Sequence, residues 1–533
     1  MIELPNVRSP APSPSRRELL VVTVLALMLL VLPLALPPVR VLLFKPLWLD
    51  ELHTWLLARP FQESSLVRQL AGGVDFNTPL LFVIDRGMLR LFPELPAQVT
   101  LRLTSLLATW AAVVLLYRVA RERVAVLPAA VGATSILASS IFLGQFLEAR
   151  FYAPWFCLTI ALALAMGRAV EEPASVGWHA AVLLLAAATC LIHYYGVISV
   201  GCLGLALIIL VRSAARLWRV ALAAALGVGA LAAWMPVYAE QRRVLQVPTW
   251  VPEPTVVSSV IFLLWFFAWI PYLLVMAAAA VTLLRNRRRS RAIAKPTPAQ
   301  AALLGLLALP VVLVVMSYVV QPTMVSRYGL PAFAGMAIVV AFATAVLPRR
   351  LQQLALAGML ASYGAVLAWK VRAANRFAAD IYAGVAAVNR VSGDGRIIVS
   401  LDRESMYPAA LSAATRNHRL TYLVMPFDTI ATELRSQPND GLYRFVTVEQ
   451  DCTIAHNRML GFPNLISLDS LRRLDSFYFL LPSRGTTPRM PALFSGYRAC
   501  LADPRLLLFT ASPGTIQSAA TLKGVAACGA TSS

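Results

Sequence analysis

Two carboxylates stand side by side at Asp50 and Glu51, within the apolar run Leu47-Trp48-Leu49-Asp50-Glu51-Leu52-His53. Adjacent acids near an apolar phase are costly unless they are paired or used. A carboxylate within reach of a hydroxyl can serve as a general base. Four further polar groups follow: Asp75-Phe76-Asn77-Thr78-Pro79-Leu80, Glu148-Ala149-Arg150-Phe151-Tyr152, His193-Tyr194-Tyr195 and Ser326-Arg327-Tyr328. Arginine grips phosphate through a planar fork, so Arg150 and Arg327 suit an anion. Each group also has a plainer reading. Asp75 caps the helix that follows it, and Glu148 with Arg150 forms a structural ion pair. His193 is a hydrogen-bonded residue at an interface, and Arg327 with Tyr328 belongs to an interfacial belt. The groups become a set only if the chain carries them to one side of an apolar layer.

The elements that would do so follow from composition. The chain has 533 residues, of which 59% are hydrophobic and 14% charged. Soluble domains average about 25% charged residues. This balance excludes a disordered chain, a disulfide-stapled miniprotein and an ordinary cytosolic enzyme, and requires lipid as solvent for much of the chain. A spanning helix needs roughly 20 apolar residues. Apolar segments fall at 19–37, 97–117, 124–143, 149–167, 178–192, 195–211, 220–238, 256–284, 299–320, 327–347 and 351–369, which predicts about eleven spans. The stretch 178–211 is too long for one span and divides at His193-Tyr194-Tyr195. Pro37-Pro38 closes the first segment where a signal peptide would carry small residues, so that segment is read as an uncleaved span. Residues 79–92 are apolar but short, and Asp85, Arg86 and Arg90 interrupt them. That pattern predicts a helix lying along the membrane surface.

The formal net charge of +21 raises nucleic acid as a partner, but the positions of the charges remove it. Alternate loops carry Arg118/Arg121/Arg123, Arg168, Arg212/Arg216/Arg219, Arg285 to Lys295 and Arg349/Arg350. The opposite short loops hold little beyond Arg242 and Arg243. Positive-inside bias puts the first set and the N-terminus in the cytoplasm. An odd number of spans then puts the C-terminal part outside. The expected organisation is a cytoplasmic tail at 1–18, a membrane domain at 19–369 with a first outer loop at 38–96, and an extracytoplasmic α/β domain at 370–533. In that domain, strand-like runs at 396–401, 420–424, 477–481 and 505–510 alternate with helix-like stretches such as 405–415. Residues 239–255, with Trp250 between prolines, form an outer loop. Cys157, Cys190 and Cys202 read as small buried hydrophobes, and a Cys452–Cys500 disulfide is compatible with an outer domain. On this topology all five polar groups face outward.

The series Leu47-Trp48-Leu49-Asp50-Glu51, Asp75-x-Asn77-x-Pro79-Leu80, Leu101-Arg102-Leu103, Glu148-Ala149-Arg150-Phe151-Tyr152, His193-Tyr194-Tyr195 and Arg327-Tyr328 resembles the GT-C class of membrane glycosyltransferases. The likeness is to the bacterial branch related to protein mannosyltransferases, the aminoarabinose transferase of lipid A and the lipopolysaccharide-core galacturonosyltransferases, and it covers roughly residues 15–350. The chain departs from it at Asn77-Thr78-Pro79, where many relatives have His or Lys before two prolines. The resemblance implies a polytopic α-helical enzyme of the bacterial inner membrane, acting on the cell envelope. It would move a sugar, with inversion, from a polyprenyl-phosphate donor to an acceptor hydroxyl on a glycan, lipid or protein. It makes Asp50 the base, with Glu51 orienting it. Arg150, Arg327 and Arg102 would hold the donor phosphate. Glu148, Asp75, Tyr152, His193, Tyr194 and Tyr328 would line the sugar and acceptor subsites. A divalent cation, Mg or Mn, is left open, with Asp50, Glu51 and Glu148 as hard oxygen ligands. The competing reading is a transporter or flippase of lipid-linked sugars, which would carry polar residues near the bilayer midplane on broken helices. A non-catalytic scaffold would leave Asp50-Glu51 and Glu148/Arg150 unexplained.

Overall fold

The computed structural model describes residues 15–58, 65–73, 75–211, 214–244, 251, 253–285 and 295–391, together with 398–400, 420–424, 464–467, 474–480, 497–503 and 506–511. The chain divides into two compact units. The first comprises Met1–Phe44, Phe76–Ala239 and Val251–Arg372, and the second Lys45–Asp75, Glu240–Trp250 and Ala373–Ser533.

The first unit is helical, and each apolar segment read from the sequence contains helix. Among the described residues five helices are long and apolar enough to cross a membrane: Ala97–Arg121, Tyr152–Glu171, Arg216–Arg243, Pro298–Val319 and Arg349–Ala387. The protein is therefore a polytopic helical membrane protein. Four further apolar helices are shorter, at Val126–Ala138, Val176–Ile192, Gly196–Val211 and Ala332–Ala345. The segment 256–284 is not one straight helix but a pair, Val256–Phe267 and Ile270–Arg285, bent by 69°. Pro271 stands at the break, and the residue before a proline is disfavoured in helical geometry. The short segment 79–92 forms a helix, Leu80–Leu91. At the other end of the unit, the Arg349–Arg390 helix continues through Lys370, so the fall in hydropathy there does not end it.

These helices associate through small residues. Lipid supplies no hydrophobic drive between apolar helices, so close backbone approach and dispersion must do so. A Cβ on Gly167 would lie 2.6 Å from the Cβ of Ala299, and one on Gly132 would lie 2.6 Å from the carbonyl oxygen of Ala337. Polar ties close the helix ends. Thr297 and Gln300 form a capping box at the start of the Pro298–Gly305 helix. The Gln300 side chain also donates to the Val119 carbonyl at 2.8 Å, adding a second hydrogen bond to a carbonyl in the last turn of the Ala97–Arg121 helix. Thr297 donates to Glu122 at 2.6 Å, and Arg168 pairs with Glu122 at 2.9 Å. Burial raises the Glu122 carboxyl above its ordinary value, against the pull of Thr297 and Arg168.

The second unit contains the helices Leu49–Ala58 and Leu66–Ala71 and a six-stranded sheet. Its strands are β1 Ile398–Ser400, β2 Leu420–Val424, β3 Asn464–Ser467, β4 Ser476–Leu480, β5 Tyr497–Asp503 and β6 Leu506–Ala511, in the order β3-β2-β1-β4-β6-β5. Strands β1 to β4 pair in parallel, while β6 runs antiparallel to both β4 and β5. The four strands read from the sequence are β1, β2, β4 and β6. Strand β3 is four residues long and β5 is interrupted by an irregularity between Leu501 and Asp503, so neither offers a clean alternation. The helix expected at 405–415 and Cys452 lie outside the described residues.

Because Gly167 meets Ala299 without room for a side chain, Gly167→Leu is expected to lower stability by about 1–3 kcal/mol. The midpoint of thermal unfolding of the detergent-solubilised protein measures it. Gly201→Leu, at a position where an added Cβ would meet nothing within 4 Å, should leave that midpoint nearly unchanged.

Candidate functional site

The first unit gathers its polar residues around one imidazole. The Val176–Ile192 helix ends at His193, whose backbone is extended, and the next helix begins at Gly196. A Cβ on Gly196 would run into the Thr189 carbonyl, so only glycine permits this tight reversal. The Tyr195 N–H donates to His193 Nδ1 at 3.2 Å. Nδ1 is therefore the acceptor, and the proton of the neutral ring sits on Nε2.

Aromatic side chains surround the ring. Trp155 stacks on it at 4.6 Å between centroids, and Phe151 lies at 4.3 Å. Tyr195 and Tyr328 lie at 5.1 and 5.6 Å, and Tyr152 at 6.3 Å. Trp155 is one helical turn beyond Phe151, which brings both to the same ring. Its buried Nε1–H has no hydrogen-bond partner among the described residues.

Two guanidinium groups bear on this cluster. Arg150 lies 5.0 Å from the Phe151 ring and Arg327 lies 5.6 Å from the Tyr152 ring. Arg150 is buried in the turn before the Tyr152–Glu171 helix. Ser105 clamps that turn: its hydroxyl donates to the Glu148 carbonyl at 2.5 Å and lies 3.3 Å from that of Arg150. Burial, then the charges of Arg150 and Arg327, hold His193 well below its ordinary value. The arrangement is a positively charged, aromatic-walled receptor with a neutral imidazole, suited to an anion rather than to proton shuttling.

The other residues singled out from the sequence occupy varied settings. Glu148 faces Lys370, with 3.4 Å between the charged atoms. Tyr194 accepts from the Trp234 indole at 3.0 Å and lies 5.0 Å from Tyr238. Arg102 is fully buried, and its Nη1 donates to the Leu43 carbonyl at 2.6 Å. Asp85, read from sequence only as an interruption of the surface helix, is fully buried and accepts from Thr104 at 2.7 Å. Thr104, Ser105, Trp155 and Lys370 carried no signal in the sequence beyond their residue type.

In the second unit, Glu51 is fully buried in the first turn of the Leu49–Ala58 helix, where the helix dipole favours a carboxylate. It accepts from the Trp48 N–H at 3.2 Å and pairs with Lys45 at 3.4 Å. Asp50, its neighbour, is partly exposed. Asp75 is buried, and its carbonyl accepts from Gln241 at 3.1 Å. The Leu80–Leu91 helix starts from Pro79 with no side-chain cap, so the capping expected of Asp75 does not occur. Among the described residues no three His, Cys, Asp or Glu side chains are placed to hold a metal ion. The cation left open by the sequence gains no ligand set among these residues.

The architecture is a GT-C fold. It is similar to the crystal structures of ArnT from Cupriavidus metallidurans. The match to the apo state has a TM-score of 0.56 and 12% identity, covering 93% of this chain and 99% of that one. The match to the form bound to undecaprenyl phosphate has a TM-score of 0.52 and 12% identity, covering 94% and 100%. No protein-family model and no curated protein matches the sequence.

A group whose native value is depressed contributes stability above its unfolded value and loses it as pH falls. The unfolded His193 would bind a proton from about pH 6.5 downward, while the buried ring does not. Unfolding temperature is therefore expected to fall between pH 7 and pH 5, with a shallower slope in His193→Phe. Equal slopes would show that the native ring accepts a proton.

Proposed function

We propose that the protein is an inverting glycosyltransferase. It moves a sugar from a polyprenyl-phosphate donor to an acceptor hydroxyl of a cell-envelope glycan, lipid or protein. The observation that carries this reading is the pairing of Arg150 and Arg327 with a neutral His193 in an aromatic-walled cluster, within a fold shared with a protein crystallised with undecaprenyl phosphate. Further support comes from the partial exposure of Asp50 beside a fully engaged Glu51.

The reaction is a single displacement at the anomeric carbon. The acceptor oxygen forms its bond to that carbon as the carbon–oxygen bond to phosphate breaks, and the phosphate takes the electron pair. Asp50 takes the acceptor proton, and Glu51 fixes the helix turn that carries it. A phosphate leaving group needs its charge met rather than a proton, and Arg150 with Arg327 meets it. Neutral His193 offers Nε2–H, and Tyr152, Tyr328, Glu148, Asp75 and Tyr194 recognise sugar or acceptor hydroxyls. Arg102 contributes through its hold on the Leu43 carbonyl rather than by gripping phosphate. The membrane is the bacterial inner membrane, with about eleven spans, the N-terminus in the cytoplasm and residues 370–533 outside as an α/β domain.

A second reading, movement of a lipid-linked sugar across the membrane, draws on the 69° break between Val256–Phe267 and Ile270–Arg285, since transporters use broken helices. Purified protein in vesicles, given a panel of radiolabelled polyprenyl-phosphate sugars with candidate acceptors, separates the two. Transfer is expected, with kcat reduced about 100- to 10,000-fold in Asp50→Asn and donor KM raised in Arg327→Gln. Movement of label across the bilayer without transfer, or full activity of Asp50→Asn on the preferred donor, would sink the transferase mechanism.

A further inference from the structure

Apart from the candidate site, an apolar groove of about 250 Å³ runs between the Ile270–Arg285 helix and the Arg349–Arg390 helix. Pro271, Leu274 and Ala278 line one wall, and Leu351, Leu354 and Gly358 the other. Each set recurs every three or four residues and so forms one stripe of its helix. Each wall extends about 10 Å along its helix at 1.5 Å per residue. Leu274 and Leu354 are 66% and 65% exposed, so the groove opens outward rather than into the bundle. A Cβ on Gly358 would meet nothing within 4 Å. Apolar cavities on the order of 150 Å³ stay dry and take up hydrocarbon, so a lipid chain suits this space better than water does.

Two hydrogen bonds fix the direction of the walls. Tyr272 donates to the Ser135 carbonyl at 2.9 Å, and Ser362 to the Ala138 carbonyl at 3.2 Å. Ser135 and Ala138 lie within one turn of each other, so Tyr272 and Ser362 stand at one level. From that level one wall follows the chain forward and the other follows it backward. The far end of the groove therefore leads to Arg285 on one helix and to Arg349 and Arg350 on the other. All three arginines are exposed. The sequence from 254 to 379 contains no Asp or Glu, and Glu18 and Glu122 are engaged by Arg121 and Arg168. Apolar walls ending in uncompensated positive charge are complementary to an amphiphile with an anionic head.

The other end of the Arg349–Arg390 helix separates this groove from the candidate site. Lys370 pairs with Glu148, in the turn that carries Arg150. It lies about 30 Å along the helix from Arg349, the thickness of a hydrocarbon core. The arginine end of the groove and the Arg150 turn thus belong to opposite faces of the membrane.

We propose that this groove is a binding site for an anionic phospholipid, with one acyl chain between the two helices and the phosphate on Arg349, Arg350 and Arg285. The site is independent of the glycosyl-transfer reading. A neutral lipid would use the walls and leave the arginines without an anion, whereas a phospholipid of negative charge engages both.

The test uses the full-length protein, delipidated in detergent. It is titrated with palmitoyl-oleoyl phosphatidylglycerol or with phosphatidylcholine of the same chains, and bound lipid is counted by native mass spectrometry. One phosphatidylglycerol is expected to bind in preference to phosphatidylcholine. Arg349→Gln combined with Arg350→Gln should weaken phosphatidylglycerol about 5-fold per arginine and leave phosphatidylcholine unchanged. Gly358→Leu fills the groove and should abolish the preferred binding. Gly201→Leu, whose added Cβ also meets nothing within 4 Å, should bind as the wild type does. Equal binding of the two lipids by the wild type, or undiminished phosphatidylglycerol binding by Gly358→Leu, overturns the proposal. Undecaprenyl phosphate that displaces phosphatidylglycerol at lower concentration, and loses this ability in Gly358→Leu, makes the groove a polyprenyl site and overturns it as well.

Discussion

A buried imidazole that feels two guanidinium charges has to remain neutral. The arrangement around His193 follows from that constraint. The Tyr195 N–H on Nδ1 fixes which nitrogen keeps the proton. Gly196 permits the reversal that brings this N–H into place, and Trp155, Phe151, Tyr195 and Tyr328 keep water from the ring. In a dry, aromatic surround the fields of Arg150 and Arg327 are weakly screened. Asp50, by contrast, is partly exposed.

Holding two arginines beside this ring requires a rigid frame, and the frame is assembled from small contacts. The glycine and alanine seams allow backbones to approach where lipid gives no hydrophobic drive. Side chains at the helix ends, such as Gln300 on the Val119 carbonyl and Thr297 on Glu122, supply the hydrogen bonds that a nonpolar medium would withhold. Ser105 applies the same chemistry at the site, where it holds the turn that carries Arg150. Stability and site geometry thus draw on one device: a polar side chain on one helix satisfying the backbone of another.

Much of this was legible in the sequence. The apolar runs gave the helices, the His193-Tyr194-Tyr195 division fell where the Val176–Ile192 helix stops, and the interrupted run at 79–92 gave a short helix. Arg150, Arg327, His193, Tyr152 and Tyr328 were singled out by type and position, and they lie in one cluster. Other features were not legible. Pro271 was present as a warning, yet the segment 256–284 reads as continuous by hydropathy and is bent by 69°. Asp75 looked like a cap, but the helix begins at Pro79 without one. Asp85 looked only like a polar interruption of an apolar run, and it is buried on Thr104.

The division has a physical cause. Hydropathy and periodicity are local: a run of apolar residues must satisfy its own backbone in lipid, so its helical state is decided within the run. The sequence by itself therefore determined a polytopic helical chain, most of its breaks and the set of arginines and aromatics that gather at the site. Whether a polar side chain is paired, neutral or buried depends on residues tens or hundreds of positions away. Thr104 with Asp85, Ser105 with Glu148 and Gln300 with Val119 are such pairs. Only the tertiary structure decided which carboxyl is engaged, which imidazole is uncharged and which tryptophan stacks on it, because those states are properties of the packed environment and not of the residue.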